Sequence, residues 1–301
     1  MPELPEVETV RAGLHRELVG KKIKSCAVDN GHMVRRHKTA KEFRALVEGR
    51  TVKSVQRLGK NIVIAFENGY HLVIHLGMTG QVLKAKNAKE PKPKHTHVVF
   101  VLSTGEEIRY VDQRTFGELY VATPPPAGYE VEISKFARLS IGGDGVELRK
   151  RVPPLAHLGI DPFEDQIGWD RFAAIMRSRS AALKTVLTDQ DIIAGIGNIY
   201  SDEILFAANL RFDRECDSLS TIEIRRLHRT IPEILTEAIK AGGTTLDDEM
   251  FVNIEGKTGS YQEQLQVHTR EGLPCPVCRA PIAKVTFHQR STYFCPRCQS
   301  E

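Results

Sequence analysis

Apolar residues recur three and four positions apart at Val7, Val10, Leu14 and Leu18, which places them on one stripe of a helix over residues 5–18. Pro5 in the first turn has no N–H to waste there, and Glu6 and Glu8 suit the positive end of a helix. The period then falls to two. In NIVIAFENGYHLVIHLGM, residues 61–78, Ile62, Ile64 and Phe66 alternate with their neighbours, the chain turns at Asn68-Gly69, and Leu72, Ile74 and Leu76 resume, which predicts a hairpin. THVVFVLSTGEEIRYVD, residues 96–112, predicts a second one turning at Ser103 to Gly105. Between them KAKNAKEPKPKHTH, residues 84–97, carries five lysines and two prolines, the pattern of an exposed loop expected to move. This first part reads as a β-sandwich with the N-terminal helix docked on it.

After Val121 the pattern changes. PPPAG, IGGDG and VPP follow one another between residues 124 and 154 and predict an interdomain connection running to about residue 153. From Trp169 to Gly242 the apolar spacing is helical. The clearest helix lies in LSTIEIRRLHRTIPEILTEAIKAGG, with Ser220 or Thr221 as its N-cap, Gly242-Gly243 as its stop and Pro232 as a candidate kink. There are no internal repeats, and the expected class is α+β with several domains.

Composition adds a sign to this outline. A net charge of +4 over 301 residues is modest, but residues 21–60 hold twelve Lys or Arg against Asp29, Glu42 and Glu48. Such a run is either a solvated basic face or a polyanion surface. No stretch nears the ~18 apolar residues of a membrane span, and the N-terminus has no secretory pattern, so the expected location is the cytoplasm, with disulfides unlikely there.

Four of the six cysteines, Cys275, Cys278, Cys295 and Cys298, form two Cys-x-x-Cys pairs. Two such knuckles complete the tetrahedral four-sulfur set that zinc favours, so one structural Zn2+ is expected, with a redox pair as the competing reading. Cys26 and Cys216 read as small buried side chains. The sequence between the knuckles predicts a hairpin with Ile282 to Phe287 on one arm, Thr292 to Phe294 on the other, and His288, Gln289, Arg290 and Ser291 at its tip. Arg290 there suits a phosphate contact or is an ordinary turn residue. In GIGNIYSDEIL, Gly195 and Gly197 precede Asn198, a natural N-cap, which is either an anion-binding helix start or simply a capped one.

Taken together, MPELPEVETV, Leu58-Gly59-Lys60, HLGMTG, DQRTFG, GIGNIYSDEIL, GGTTL and QRSTYFCPRCQ occur in order over nearly the whole chain and resemble the formamidopyrimidine-DNA glycosylase family of bacterial repair enzymes. The resemblance implies a catalytic β-sandwich over 1–130, a linker at 131–153, a helix-two-turn-helix domain over 154–243, a lesion-recognition loop over 244–268 and a zinc finger over 269–301. It implies a monomer acting at the bacterial nucleoid on double-stranded DNA with oxidised bases, as both glycosylase and lyase.

The family's chemistry maps onto named residues. Pro2, freed by loss of Met1, would offer a secondary amine titrating near ~8 as the nucleophile. Glu3 would donate a proton to the sugar O4′, and Glu6 would hold the geometry. The resemblance makes Lys60 and Arg290 catalytic, gives Asn198 and His75 DNA contacts, and has Met78, Arg114 and Phe116 fill the stack left by the flipped base. The related endonuclease VIII group, which prefers oxidised pyrimidines, and a silent DNA-binding zinc protein are the alternatives. The 124–154 connection, the segment after GGTTL, and His268 in place of a common tyrosine depart from the family pattern.

Overall fold

The stripe of Val7, Val10, Leu14 and Leu18 forms α1, Leu4–Leu18, and all four side chains are buried. The computed structural model describes residues 1–246 and 251–300. Its chain divides into two units. The first comprises Met1–Val131, Lys150–Leu155 and Ile239–Ser260; the second comprises Glu132–Arg149, Ala156–Ala238 and the residues from Tyr261 onward.

The first unit is a pair of four-stranded antiparallel sheets. Its strands are β1, Ile23–Val28; β2, Val52–Leu58; β3, Asn61–Phe66; β4, His71–His75; β5, Gly80–Ala85; β6, Thr96–Leu102; β7, Glu107–Asp112; and β8, Glu118–Ala122, with α2, Ala40–Val47, between β1 and β2. One sheet runs β1-β6-β7-β5 and the other β2-β3-β4-β8. A single apolar core draws on both sheets and on α1. Alternation assigns only Ile62, Ile64 and Phe66 of β3 to that core, yet Val63 and its partner Val73 on β4 are also fully buried. These strands are covered on both faces, which is why they read as near-continuous apolar runs.

The lysine-rich loop is tethered rather than free: buried Arg109 on β7 donates to the carbonyls of Pro91 at 2.9 Å and Glu90 at 3.0 Å. Phe251 and Ile254, beyond α7, belong to the core of the first unit. A side chain at Gly13 would come within 2.8 Å of Ile254, and the Ile254 carbonyl accepts from Lys84 N–H at 2.8 Å. Residues 247–250 of the expected lesion loop lie outside the described residues.

The stretch read as a linker carries α3, Gly145–Arg151, whose residues up to Arg149 belong to the second unit. Arg149 is fully buried, bonded to Asp165 at 2.8 and 3.0 Å and to the Leu158 carbonyl at 2.9 Å. A charge pair of that kind holds 145–149 to the helical unit, which its glycines and prolines conceal. The helices α4, Trp169–Arg177; α5, Leu183–Thr188; α6, Asn198–Ala207; and α7, Thr221–Lys240 follow. Ser220 and Glu223 cap α7 reciprocally at 2.8 and 3.3 Å, and α7 runs through Pro232 as one element. The hairpin of β9, Ala283–Phe287, and β10, Arg290–Phe294, closes the chain. Among the described residues no helix is long and apolar enough to cross a membrane.

Candidate active site

Pro2 and Glu3 are buried at the start of α1, beneath a half-exposed Met1. The capped helix start legible in the sequence is present, and the same glutamates build it. Glu3 N–H donates to Glu6 Oε2 at 2.8 Å, and the Glu3 carboxylate accepts in return from the N–H of Glu6. The other Glu6 oxygen receives Thr244 N–H at 2.7 Å. Glu6 thereby ties GGTTL to the residue beside the candidate nucleophile. Gly243 makes room for this contact: a side chain there would approach Glu6 Oε1 to 2.9 Å.

Lys60 is a buried residue of the tight β2–β3 turn, not a surface lysine. Arg57, itself 1% exposed, stiffens that turn by donating to the Gly59 carbonyl at 3.0 Å. Across the sheet Asn61 pairs with His75, and the His75 Nδ1–H donates to Asn61 Oδ1 at 3.2 Å. Burial holds the His75 pKa below its ordinary 6.5; Glu118 pulls it up, and the charges of Lys60 and Arg36 push it down.

Met78, Arg114 and Phe116 are exposed on two loops at one end of the sandwich strands. The guanidinium of Arg114 lies 4.8 Å over the Phe116 ring. A Cβ on Gly77, whose φ is +63°, would come within 2.6 Å of Gly117 N, so the two loops touch through backbone. Thr115, between Arg114 and Phe116, sits at φ 56°, a left-handed conformation that β-branched residues avoid.

In the second unit, the N-cap of α6 is Gly197, not Asn198. Asn198 is the first helical residue, and its Nδ2 donates to the Ser291 carbonyl on β10 at 2.9 Å. Arg290 is not at the hairpin tip but opens β10 opposite Phe287. The turn contains only His288 and Gln289, both left-handed, at φ 46° and 63°. Arg290 is exposed in a groove that also includes Lys184, Thr188 and His288.

The thiols of Cys275, Cys278, Cys295 and Cys298 lie within 4.8 Å of one another. Four sulfur donors gathered at one point, two of them buried, fit a tetrahedral zinc ion. They form the finger's single structural zinc site, closed to substrate. Cys26 and Cys216 are buried, and desolvation pushes both thiols up to about 12.

Comparison with known proteins assigns this arrangement. Residues 1–119 match the formamidopyrimidine-DNA glycosylase N-terminal domain, residues 158–250 its H2TH domain, and residues 272–300 the zinc finger found in FPG and IleRS. The formamidopyrimidine-DNA glycosylase of Oceanobacillus iheyensis is 38% identical over 99% of this chain and 98% of its own. The chain belongs to the formamidopyrimidine-DNA glycosylase family. The Nocardia farcinica enzyme is 37% identical, again over 99% and 98% of the two chains. Among solved structures, Lactococcus lactis Fpg in complex with DNA containing an abasic site superposes with a TM-score of 0.82 at 31% identity, covering 99% of this chain and all of the other. MutM in complex with DNA containing carbocyclic 8-oxo-G gives 0.81 at 31% identity, covering all of both chains.

As a formamidopyrimidine-DNA glycosylase, the protein is a DNA glycosylase of damaged-DNA repair, and several residues that support its candidate site were missed in the sequence. Gln190 holds the GIG loop, accepting from Gly195 N–H at 2.9 Å and donating to the Ile196 carbonyl at 2.8 Å. Asp202 is buried between Lys184, the His268 Nδ1–H at 2.8 Å and Tyr293 N–H at 3.2 Å. Glu203 accepts the backbone N–H groups of Gln266, Val267 and His268 at 2.8–3.0 Å, although burial pushes its pKa up. In this family member His268 is thus an anchor on Asp202, with its ring edge-on to Tyr293. The acids of SDEIL were a visible signal, since paired acids on a buried helix demand donors.

Proposed function

We propose that the protein excises oxidised purines from duplex DNA and then cleaves the strand, with Pro2 as nucleophile. The observation that carries this reading is the buried Pro2-Glu3 pair with Glu6 bonded to the Glu3 N–H. Simple binding requires neither group there. With Met1 removed, the Pro2 secondary amine attacks the sugar C1′, and the C1′–N bond to the base breaks with its electrons leaving on the base, which takes up the proton that the Pro2 nitrogen gives up. Glu3 gives a proton to O4′ as the ring opens. The resulting iminium has no N–H to lose, remains cationic, and accepts electrons as the flanking phosphates leave by β- and δ-elimination. Lys60, buried near the strand ends, neutralises phosphate or assists proton transfer; Arg290 and Asn198 contact phosphate, and His75 contacts DNA. The protein acts as a monomer.

Reduction with borohydride tests this. Processed protein mixed with a duplex containing 8-oxoguanine opposite cytosine is expected to yield one covalent adduct through Pro2. An adduct through a lysine, or none, refutes the mechanism, and trapping only with oxidised pyrimidines transfers the protein to the endonuclease VIII type.

A further inference from the structure

Met78 comes from one loop and Arg114 and Phe116 from another, yet a single carboxylate holds both loops. Asp112 is fully buried at the end of β7. Its Oδ1 accepts from the hydroxyl of Thr79, the neighbour of Met78, and from Arg114 N–H at 3.3 Å. Its Oδ2 accepts from Gly117 N–H, just past Phe116, at 2.9 Å, and from the Tyr110 hydroxyl at 3.4 Å. The Thr79 hydroxyl oxygen also accepts Arg114 N–H at 3.0 Å, closing a ring of bonds between the loops.

Steric fit reinforces this ring. Gly77 presses on the Phe116-Gly117 backbone, and a Cβ on Gly117 would fall 1.7 Å from the Tyr110 hydroxyl oxygen. The left-handed Thr115 lies inside the same loop, and a strained residue persists where bonds on either side over-determine its backbone. The side chains that project from this frame are exposed, and beyond the stacking of Arg114 on Phe116 their placement follows from the backbone that the frame holds.

We propose that Asp112 is a positioning residue that makes the 76–80 and 112–117 loops one rigid wedge, so that Met78, Arg114 and Phe116 enter a duplex together. The proposal rests on the reading above, in which these three side chains fill the space left by a flipped base. A wedge must displace stacked bases, and ordering it beforehand removes that cost from the flipping step. Asparagine at 112 places an NH2 against one of the donors that the carboxylate satisfies, while keeping shape and volume.

The test compares wild type, D112N, T79V and T79S on two substrates: a duplex with 8-oxoguanine opposite cytosine, and a single-stranded oligonucleotide with an abasic site, which needs no wedge. D112N is expected to lose roughly tenfold in kcat on the duplex and to nick the single strand at the wild-type rate. T79V moves the same way by roughly threefold, and T79S recovers wild-type behaviour. Equal losses on both substrates would reduce Asp112 to a fold-stabilising residue, and full duplex activity in D112N and T79V would overturn the proposal. Wild type inactive on both substrates would instead remove the glycosylase reading on which the proposal stands.

Discussion

Glu6 carries two buried backbone donors, the N–H groups of Glu3 and Thr244, on one carboxylate. Truncation by Glu6→Ala strands both, at about 1–3 kcal/mol each, so urea denaturation should report a loss of about 2–6 kcal/mol. Activity should fall further than stability alone explains, because Glu3 loses its reference point. A stability change below about 0.5 kcal/mol would show that the two donors find other partners. At this scale the two prolines of PELPE separate. Pro5 serves the first turn of α1, a role visible from local rules. Asn198 shows where local rules stop: its amide reaches Ser291, ninety-three residues away, and Gly197 takes over the cap.

Strands were legible where the apolar period was long, as in β3, β4, β6 and β7, and missed where it was short, as in β5 and β8. β8 is an edge strand of its sheet, and the basic segment before α2 covers it. Arg35 donates to the Gly117 carbonyl at 2.7 Å, Arg36 pairs with Glu118 and stacks 3.9 Å over Tyr120, and Val121 N–H donates to His37 Nε2 at 3.0 Å. Part of the charge run, which the sequence leaves open between a solvated basic face and a polyanion surface, is therefore spent on the fold. The zinc-finger hairpin offers a prediction of its own. Two-residue turns with both residues left-handed favour Asn-Gly, and here His288-Gln289 occupies those positions. The double change His288→Asn, Gln289→Gly should stabilise the zinc-loaded hairpin by about 1 kcal/mol, read by hydrogen exchange across β9 and β10. Faster exchange there would mean that the His288 ring, edge-on to Phe287 at 4.2 Å, is worth more than the strain.

For the molecule as a whole, pH should act on the first unit before the second. His37, His71 and His75 all belong to it, and burial holds each below the ordinary value of 6.5. The unfolded chain takes up these protons below about pH 6.5 while the folded chain resists, so stability is lost as pH falls from there through the depressed values. Protonation of His37 also removes the acceptor used by Val121 N–H. Denaturation monitored by probes in each unit between pH 7.5 and 5 should show the sandwich weakening first; a pH-independent sandwich would mean that these imidazoles stay solvated. The sequence alone determined the stripe of α1, the two hairpins, the helical run and the four-cysteine set, because each follows from spacing within a few residues or from metal-ligand chemistry. Tertiary structure decided what spacing cannot carry: that 145–149 joins the helical unit through Arg149 and Asp165, that Lys60 is buried, that Glu6 meets Thr244, and that Asp112 gathers two loops. Each of these is a buried polar group whose partner is distant in the chain or set by the backbone path, and desolvation makes that partner obligatory only once the chain has folded.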